Sequence, residues 1–303
     1  MAATAAQPPV IPPLFADHPT VFAPRLQFVL LGDSLTQNGT EPIGWATLLA
    51  HHYARKADIV NRGYSGYNTN HALALLRVHI AEGVWPTTHA QSTAEAQAKQ
   101  PPAIVTLFFG ANDACLPESI SDFQAVDVAQ YKQNLLEMVR LLKGADGQAN
   151  PNVRVLLIGP PQVDSHAWGR ACMEKHKLAT PPITRSLAHT QLYADAARSL
   201  AQELSLPFVN CWSFTGDLVG MFRDGLHFSA KGNYKLFKVV RLVIGQNWPK
   251  LAAEQRPLDS FPFLQIKTKT KEGVDDIFDS HLAKQKERER KQQEQKQQQQ
   301  QKQ

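Results

Sequence analysis

Ser34 stands in the stretch Leu30-Leu31-Gly32-Asp33-Ser34-Leu35, directly after an apolar run and ahead of residues with helical spacing. A serine that transfers acyl groups needs four things: a hydroxyl, a base, a group that orients the base, and donors for the oxyanion. Ser34 supplies the hydroxyl. His227 is a base whose ordinary pKa lies near neutrality. Asp224 lies three residues before it, a spacing that lets a carboxylate fold back onto the imidazole in a tight loop. Oxyanion donors are available in the backbone N–H groups of Ser34 and Gly66 and in the side-chain amide of Asn112, each worth ~3 kcal/mol in a typical acyl-transfer site. Glycine suits such a donor, because its N–H can approach a substrate unhindered by a Cβ.

Each motif has a plainer explanation when taken alone. Asp33-Ser34 could cap a helix, Gly66 could be a turn residue, Asn112-Asp113 could be a local turn, and His227 could be structural. Asp33 and Asp113 are expected to order their turns, and Asn68 to brace the Gly66 loop or cap the next helix. The catalytic reading gains because all four motifs occur together and fall at the ends of strands or in loops.

Those strands are apolar, β-branched-rich runs at 26–31, 58–61, 104–109, 153–158 and 208–210. Helical spacing of apolar residues predicts helices over 44–55, 69–79, 128–142, 184–204 and 229–248. Alternating strands and helices imply right-handed βαβ units and a parallel sheet covered on both faces. Chemistry in such folds sits beyond the carboxyl ends of the strands, where the four motifs fall. Two stretches read as long connections: 82–102, a candidate lid, and 162–182, which contains Trp168. Leu35, Ala111, Leu226 and Phe228 flank the active positions and, with Trp168, are candidate pocket walls; core packing is the alternative for the first four.

The segments "NRGYSGYNT", "LFFGANDAC" and "DGLHFSAKGN", together with Gly32-Asp33-Ser34-Leu35, resemble the sequence blocks of the SGNH, or GDSL-type, hydrolases. Within that superfamily the chain resembles the isoamyl acetate-hydrolysing esterases, over roughly 27–248. The resemblance implies a flavodoxin-like three-layer α/β/α sandwich with a five-stranded parallel sheet. It implies hydrolysis of short-chain carboxylic esters such as acetates of small alcohols, with no metal and no cofactor. Ser34 does not lie in the Gly-x-Ser-x-Gly elbow of α/β-hydrolases.

Bulk properties narrow the rest. The chain of 303 residues has a net charge of +5, but residues 284–303 hold seven basic and three acidic residues, so four of the five positive charges belong to that tail. The basic pI therefore gives no argument that the folded part binds nucleic acid. No apolar run approaches the ~18 residues of a membrane span. The Ala/Pro-rich start lacks the features of a secretory signal. Three scattered cysteines, Cys115, Cys172 and Cys211, suggest reduced thiols rather than disulfides or zinc ligands, so the expected compartment is the cytoplasm. The expected organisation is an extended arm over 1–24, a hydrolase domain over 25–250, an extension over 251–283 and a Gln/Lys-rich tail over 284–303. The expected partner is a small-molecule ester, and the oligomeric state stays open. Two alternatives also stay open: the same machinery on a thioester, lysophospholipid or acetylated sugar, and a non-catalytic interaction protein that uses its tail.

Overall fold

Five strands with apolar residues at consecutive positions form one all-parallel sheet: β1 (Leu26–Gly32), β2 (Ala57–Gly63), β3 (Ile104–Phe108), β4 (Arg154–Gly159) and β5 (Phe208–Asn210). Their order is β2-β1-β3-β4-β5. The inner strands β1, β3 and β4 are buried on both faces and read as continuous apolar runs, whereas the edge strands β2 and β5 are only partly buried. The computed structural model describes residues 25–82, 103–144, 153–216 and 220–256, together with 287, 290 and 294. The expected N-terminal arm, the 82–102 connection beyond Glu82, and most of the extension and tail lie outside the described residues. Of the tail, Glu287, Arg290 and Glu294 are helical, with Arg290 Nε 3.5 Å from Glu294 Oε1.

The helices are α1 (Ser34–Gln37), α2 (Trp45–His52), α3 (Thr69–Ala81), α4 (Val128–Lys143), α5 (Ser165–His176), α6 (Leu187–Glu203), α7 (Cys211–Phe214) and α8 (Ala230–Asn247). Side-chain caps begin the longer ones: Asn68 for α3, Asp127 for α4, Asp164 for α5, Ser186 for α6 and Ser229 for α8. Each such cap is typically worth ~1 kcal/mol.

Alternate strand residues feed two cores. Phe28, Leu30, Ile104, Phe108, Leu156 and Ile158 face Trp45 and Leu49 of α2 and Leu236, Val240 and Ile244 of α8. Val29, Leu31, Val105, Leu107, Val155 and Leu157 face α3, α4 and α6 through Leu76, Tyr131, Leu135, Met138, Tyr193 and Leu200. The sheet with a helical layer on each side is the expected α/β/α sandwich. The compact unit runs from Leu26 to Arg256.

The 162–182 stretch is not simply a long connection, since it contains α5. Only Gly169 and Cys172 of that helix are buried, so it has no apolar stripe to reveal its period. Its signals are polar: Asp164 Oδ1 accepts from Ala167 N, and Lys177 closes the last turn in the left-handed conformation.

The chain leaves β1 to build β2 on one side, then returns to build β3 on the other. This switch opens a crevice beyond the carboxyl ends of β1 and β3, where a ligand can meet several loops at once.

Candidate active site

Ser34 is the first residue of α1, immediately past the end of β1. The turn is pegged by Asp33, whose side chain accepts from Leu35 N at 2.9 Å while its own N–H donates to Phe108 O of β3. At its far end, Trp45 Nε1 donates to Leu35 O at 3.0 Å. The hydroxyl is therefore held between two buried anchors.

His227 and Asp224 come from a short hairpin. Ser229 N donates to Met221 O and Arg223 N to His227 O, with Phe222 bridged to Phe228. Gly225 turns the tip at φ +94. Asp224 Oδ1 accepts from the backbone N–H of Leu226 (2.9 Å) and His227 (2.7 Å), while Asp224 Oδ2 lies 2.7 Å from His227 Nδ1. A carboxylate can only accept here, so Nδ1 carries a proton, and in the neutral imidazole Nε2 presents its lone pair. Nε2 lies 2.9 Å from Ser34 Oγ. Trp168 stands edge-on to the imidazole at 5.6 Å. Burial pushes the Asp224 carboxyl up, but the hydrogen bond and charge of His227 and the two backbone N–H bonds outweigh it, and its pKa is lowered.

Gly66 and Asn112 border the same cavity as Ser34 and His227. Gly66 lies past β2 at φ +81, in the left-handed region. Among the described residues, the N–H groups of Ser34 and Gly66 donate to no protein acceptor. Asn112 Nδ2 donates to Tyr67 O at 2.8 Å, which leaves its second hydrogen free. Asn68 both caps α3 and reaches Gln124 O, and Asp113 ties β3 to α3 by accepting from Thr69 N and Oγ1.

The cavity measures about 800 Å³. Trp168 and Leu226 line it as expected, joined by Ile120, Phe123 and Leu178. Leu35, Ala111 and Phe228 do not line it: all three are buried in the core shared by the sheet, α2 and α8. They follow or precede active-site residues in sequence, and neighbouring residues in these turns point to opposite sides. Two residues that sequence reasoning missed also border the cavity, Gln124 and Arg185. Gln124 Nε2 donates to Gly66 O at 2.9 Å and approaches Asn112 Oδ1 at 3.4 Å. Arg185 Nη2 donates to Asn112 Oδ1 at 3.1 Å. Neither lies in a motif, and only the fold brings them to the loop after β3.

Chemically, the arrangement can withdraw a proton from Ser34 Oγ onto His227, neutralise the resulting imidazolium with Asp224, and offer three N–H donors to an oxyanion.

Comparison with known proteins gives a consistent picture. Residues 30–235 match the GDSL-like lipase/acylhydrolase family. The chain is 39% identical over 220 residues to a GDSL esterase/lipase of Arabidopsis thaliana, covering 71% of this chain and 84% of that one. It is 34% identical over 228 residues to the isoamyl acetate-hydrolyzing esterase 1 homolog of Rattus norvegicus, covering 74% and 82%. The isoamyl acetate-hydrolyzing esterase of Saccharomyces cerevisiae is 30% identical over 243 residues, covering 74% and 90%. In fold, the lipase/acylhydrolase of Enterococcus faecalis superposes with a TM-score of 0.52 at 22% identity, covering 73% of this chain and 96% of that one.

Proposed function

The chain belongs to the GDSL-like lipase/acylhydrolase family and is a carboxylic ester hydrolase, and on that premise we propose that it cleaves short-chain esters through an acyl-enzyme on Ser34. The observation that carries this reading is the continuous relay from Ser34 Oγ through His227 to Asp224, with bonds of 2.9 and 2.7 Å.

His227 Nε2 takes the Ser34 proton as Oγ attacks the ester carbonyl. The oxyanion accepts from Ser34 N–H, Gly66 N–H and Asn112 Nδ2. His227 returns the proton to the departing alcohol, and a water molecule then repeats the sequence on the acyl-enzyme. Asp224 holds the tautomer that leaves Nε2 unprotonated.

Acetates of small alcohols are the proposed substrates. Support comes from the relatives that are named for isoamyl acetate. Cytoplasmic location is also part of the proposal, supported by three buried cysteines that are all free thiols. Among the described residues no helix is long and apolar enough to cross a membrane.

The test is hydrolysis of isoamyl acetate and of acetyl, butyryl and octanoyl p-nitrophenyl esters by the wild type and by Ser34→Ala. Activity is expected to fall with acyl length, and Ser34→Ala to lose at least about 10⁴-fold in kcat. Activity retained in Ser34→Ala would overturn the nucleophile. A profile that rises toward octanoate would overturn the substrate class.

A further inference from the structure

We propose that Arg185 is a positioning residue of the oxyanion hole, its buried guanidinium fixing the Asn112 carboxamide so that Nδ2 faces the substrate. The inference rests on the acyl-transfer reading above and assigns to that site a residue outside all four of its motifs.

Arg185 is 2% exposed. A buried cation is costly unless something compensates it, and a carboxylate is the usual partner. Among the described residues the Arg185 guanidinium meets none within ion-pair distance. Its partners are neutral oxygens: Nε donates to Ala111 O at 2.7 Å, Nη2 to Asn112 Oδ1 at 3.1 Å and to Gln124 Oε1 at 3.4 Å, and Nη1 to Thr184 Oγ1 at 3.4 Å. The face of Trp168 lies 5.3 Å from the guanidinium carbon.

A primary amide has two ends of similar size, so shape alone cannot orient it. A guanidinium can, because it has only donors. With Arg185 fixed by Ala111 O, the oxygen end of Asn112 must face it. A flipped amide would set NH₂ against the cation. Nδ2 is thereby turned the other way, with one hydrogen on Tyr67 O and the other free.

The same cation reaches the second donor loop. Arg185 donates to Gln124 Oε1, and Gln124 Nε2 donates to Gly66 O. Gly66 O is the acceptor of the residue whose N–H we assign to the oxyanion, so one buried charge braces both loops. Donation to Oδ1 also draws electron density from the amide, which makes the free Nδ2–H a stronger donor as negative charge develops.

The test is a double-mutant cycle on one ester, with kcat and KM measured for the wild type, Arg185→Met, Asn112→Ala and the double variant, and thermal unfolding recorded for each. Asn112→Ala is expected to lower kcat by about 10²–10³-fold and Arg185→Met by about 10–10²-fold, with KM changing less than kcat. The effect of Arg185→Met should shrink in the Asn112→Ala background, because most of it passes through that amide and only the remainder through Gln124 to the Gly66 loop. Effects that multiply, or a kcat loss that only follows loss of folded protein, would overturn the proposal. Should Arg185→Met fail to fold, Arg185→Lys serves instead: it keeps the charge but loses the fork that spans Ala111 O and Asn112 Oδ1. Its kcat should fall at unchanged folding, and fall less when Asn112 is absent; an undiminished kcat would overturn the proposal. If Asn112→Ala is fully active while Ser34→Ala is dead, this inference fails and the serine mechanism stands. If Ser34→Ala is active, the mechanism itself fails.

Discussion

The floor of the site and its histidine arm treat their carboxylates in opposite ways. On the arm, Asp224 gains a histidine and two backbone N–H groups, and its pKa falls despite partial burial. On the floor, Asp33 adjoins Ser34 yet is pushed up to about 7 by burial, with Asp113 adding repulsion against the lowering effects of Leu35 N–H and Arg185. Asp113 is likewise raised by burial, to about 6, against its bonds from Thr69. One oxygen of each floor carboxylate, Oδ2, has no hydrogen-bond partner. The arm thus keeps a charge available to answer an imidazolium. The floor uses its carboxyls as pegs for turns, and does so at the expense of their ionisation.

The sharpest way to break this comparison is to neutralise one carboxylate on each side. Asp224→Asn keeps the shape of the hairpin but lets Nδ1 of His227 lose its acceptor, so the wrong tautomer can form. We expect kcat to fall by about 10⁴-fold. Asp33→Asn retains an oxygen to accept from Leu35 N, and kcat should stay within about tenfold of wild type. Steady-state kinetics on a short ester checks both; equal losses would mean that Asp33 takes part in the chemistry.

A smaller effect separates the two regions sterically. Gly225 on the arm and Gly66 on the floor both have positive φ, +94 and +81. Alanine at either position meets the left-handed penalty of about 1–2 kcal/mol. At Gly225 the added Cβ would also fall 2.5 Å from both Asp164 O and Trp168 N, and 2.9 Å from the Ala167 Cβ. At Gly66 the nearest atom is Gln124 Nε2 at 3.5 Å, an ordinary contact. Gly225→Ala should therefore destabilise the protein by about 1–3 kcal/mol more than Gly66→Ala, because the start of α5 cannot yield freely. Chemical denaturation of the two variants side by side measures the difference.

The same two regions explain what was legible in the sequence. The inner strands β1, β3 and β4 were readable because a sheet covered on both faces writes itself as apolar runs, while the edge strands β2 and β5 show only the short apolar stretches Ile59-Val60 and Phe208-Val209. Ser34, Asp224, His227, Gly66 and Asn112 stood out because the proposed chemistry calls for particular residue types after strands or in loops, and the structure brings all five to one cavity. Arg185 and Gln124 did not: their partners lie 73 and 58 residues away along the chain, and nothing local distinguishes a buried arginine from an exposed one. The α5 helix escaped notice because its caps are polar and its buried face is too small to set a period. Leu35, Ala111 and Phe228 were drawn toward the cavity by adjacency in sequence, whereas the turn that aims Ser34, Asn112 or His227 at the cavity aims its neighbour at the core.

The smallest effect is one of stability against pH, and here floor and arm differ in sign. Asp33 has a folded pKa of about 7 against a reference of 3.8, so the folded state holds its proton more tightly than the unfolded chain does. Between those values the unfolded state has already ionised and the folded state has not. Stability therefore falls as pH rises through that window, and the loss is complete above about 7. Asp113 acts in the same direction up to about 6. Asp224, with its lowered pKa, contributes stability above its unfolded value that is lost only as pH falls through the folded one, so it is already fully ionised at pH 5. From pH 5 to pH 8 the floor should pull stability down, against a rise from His52, whose imidazole is held below its ordinary pKa by burial, so the contribution of the floor is read as the difference between the wild type and Asp33→Asn. In Asp33→Asn that decline should shrink by on the order of 1–2 kcal/mol, or roughly 2–8 °C in Tm for a domain of this size. Thermal melts at the two pH values decide it. The same change in Tm from pH 5 to pH 8 in the wild type and in Asp33→Asn would mean that Asp33 is already ionised when the protein folds, and the contrast with Asp224 would be lost.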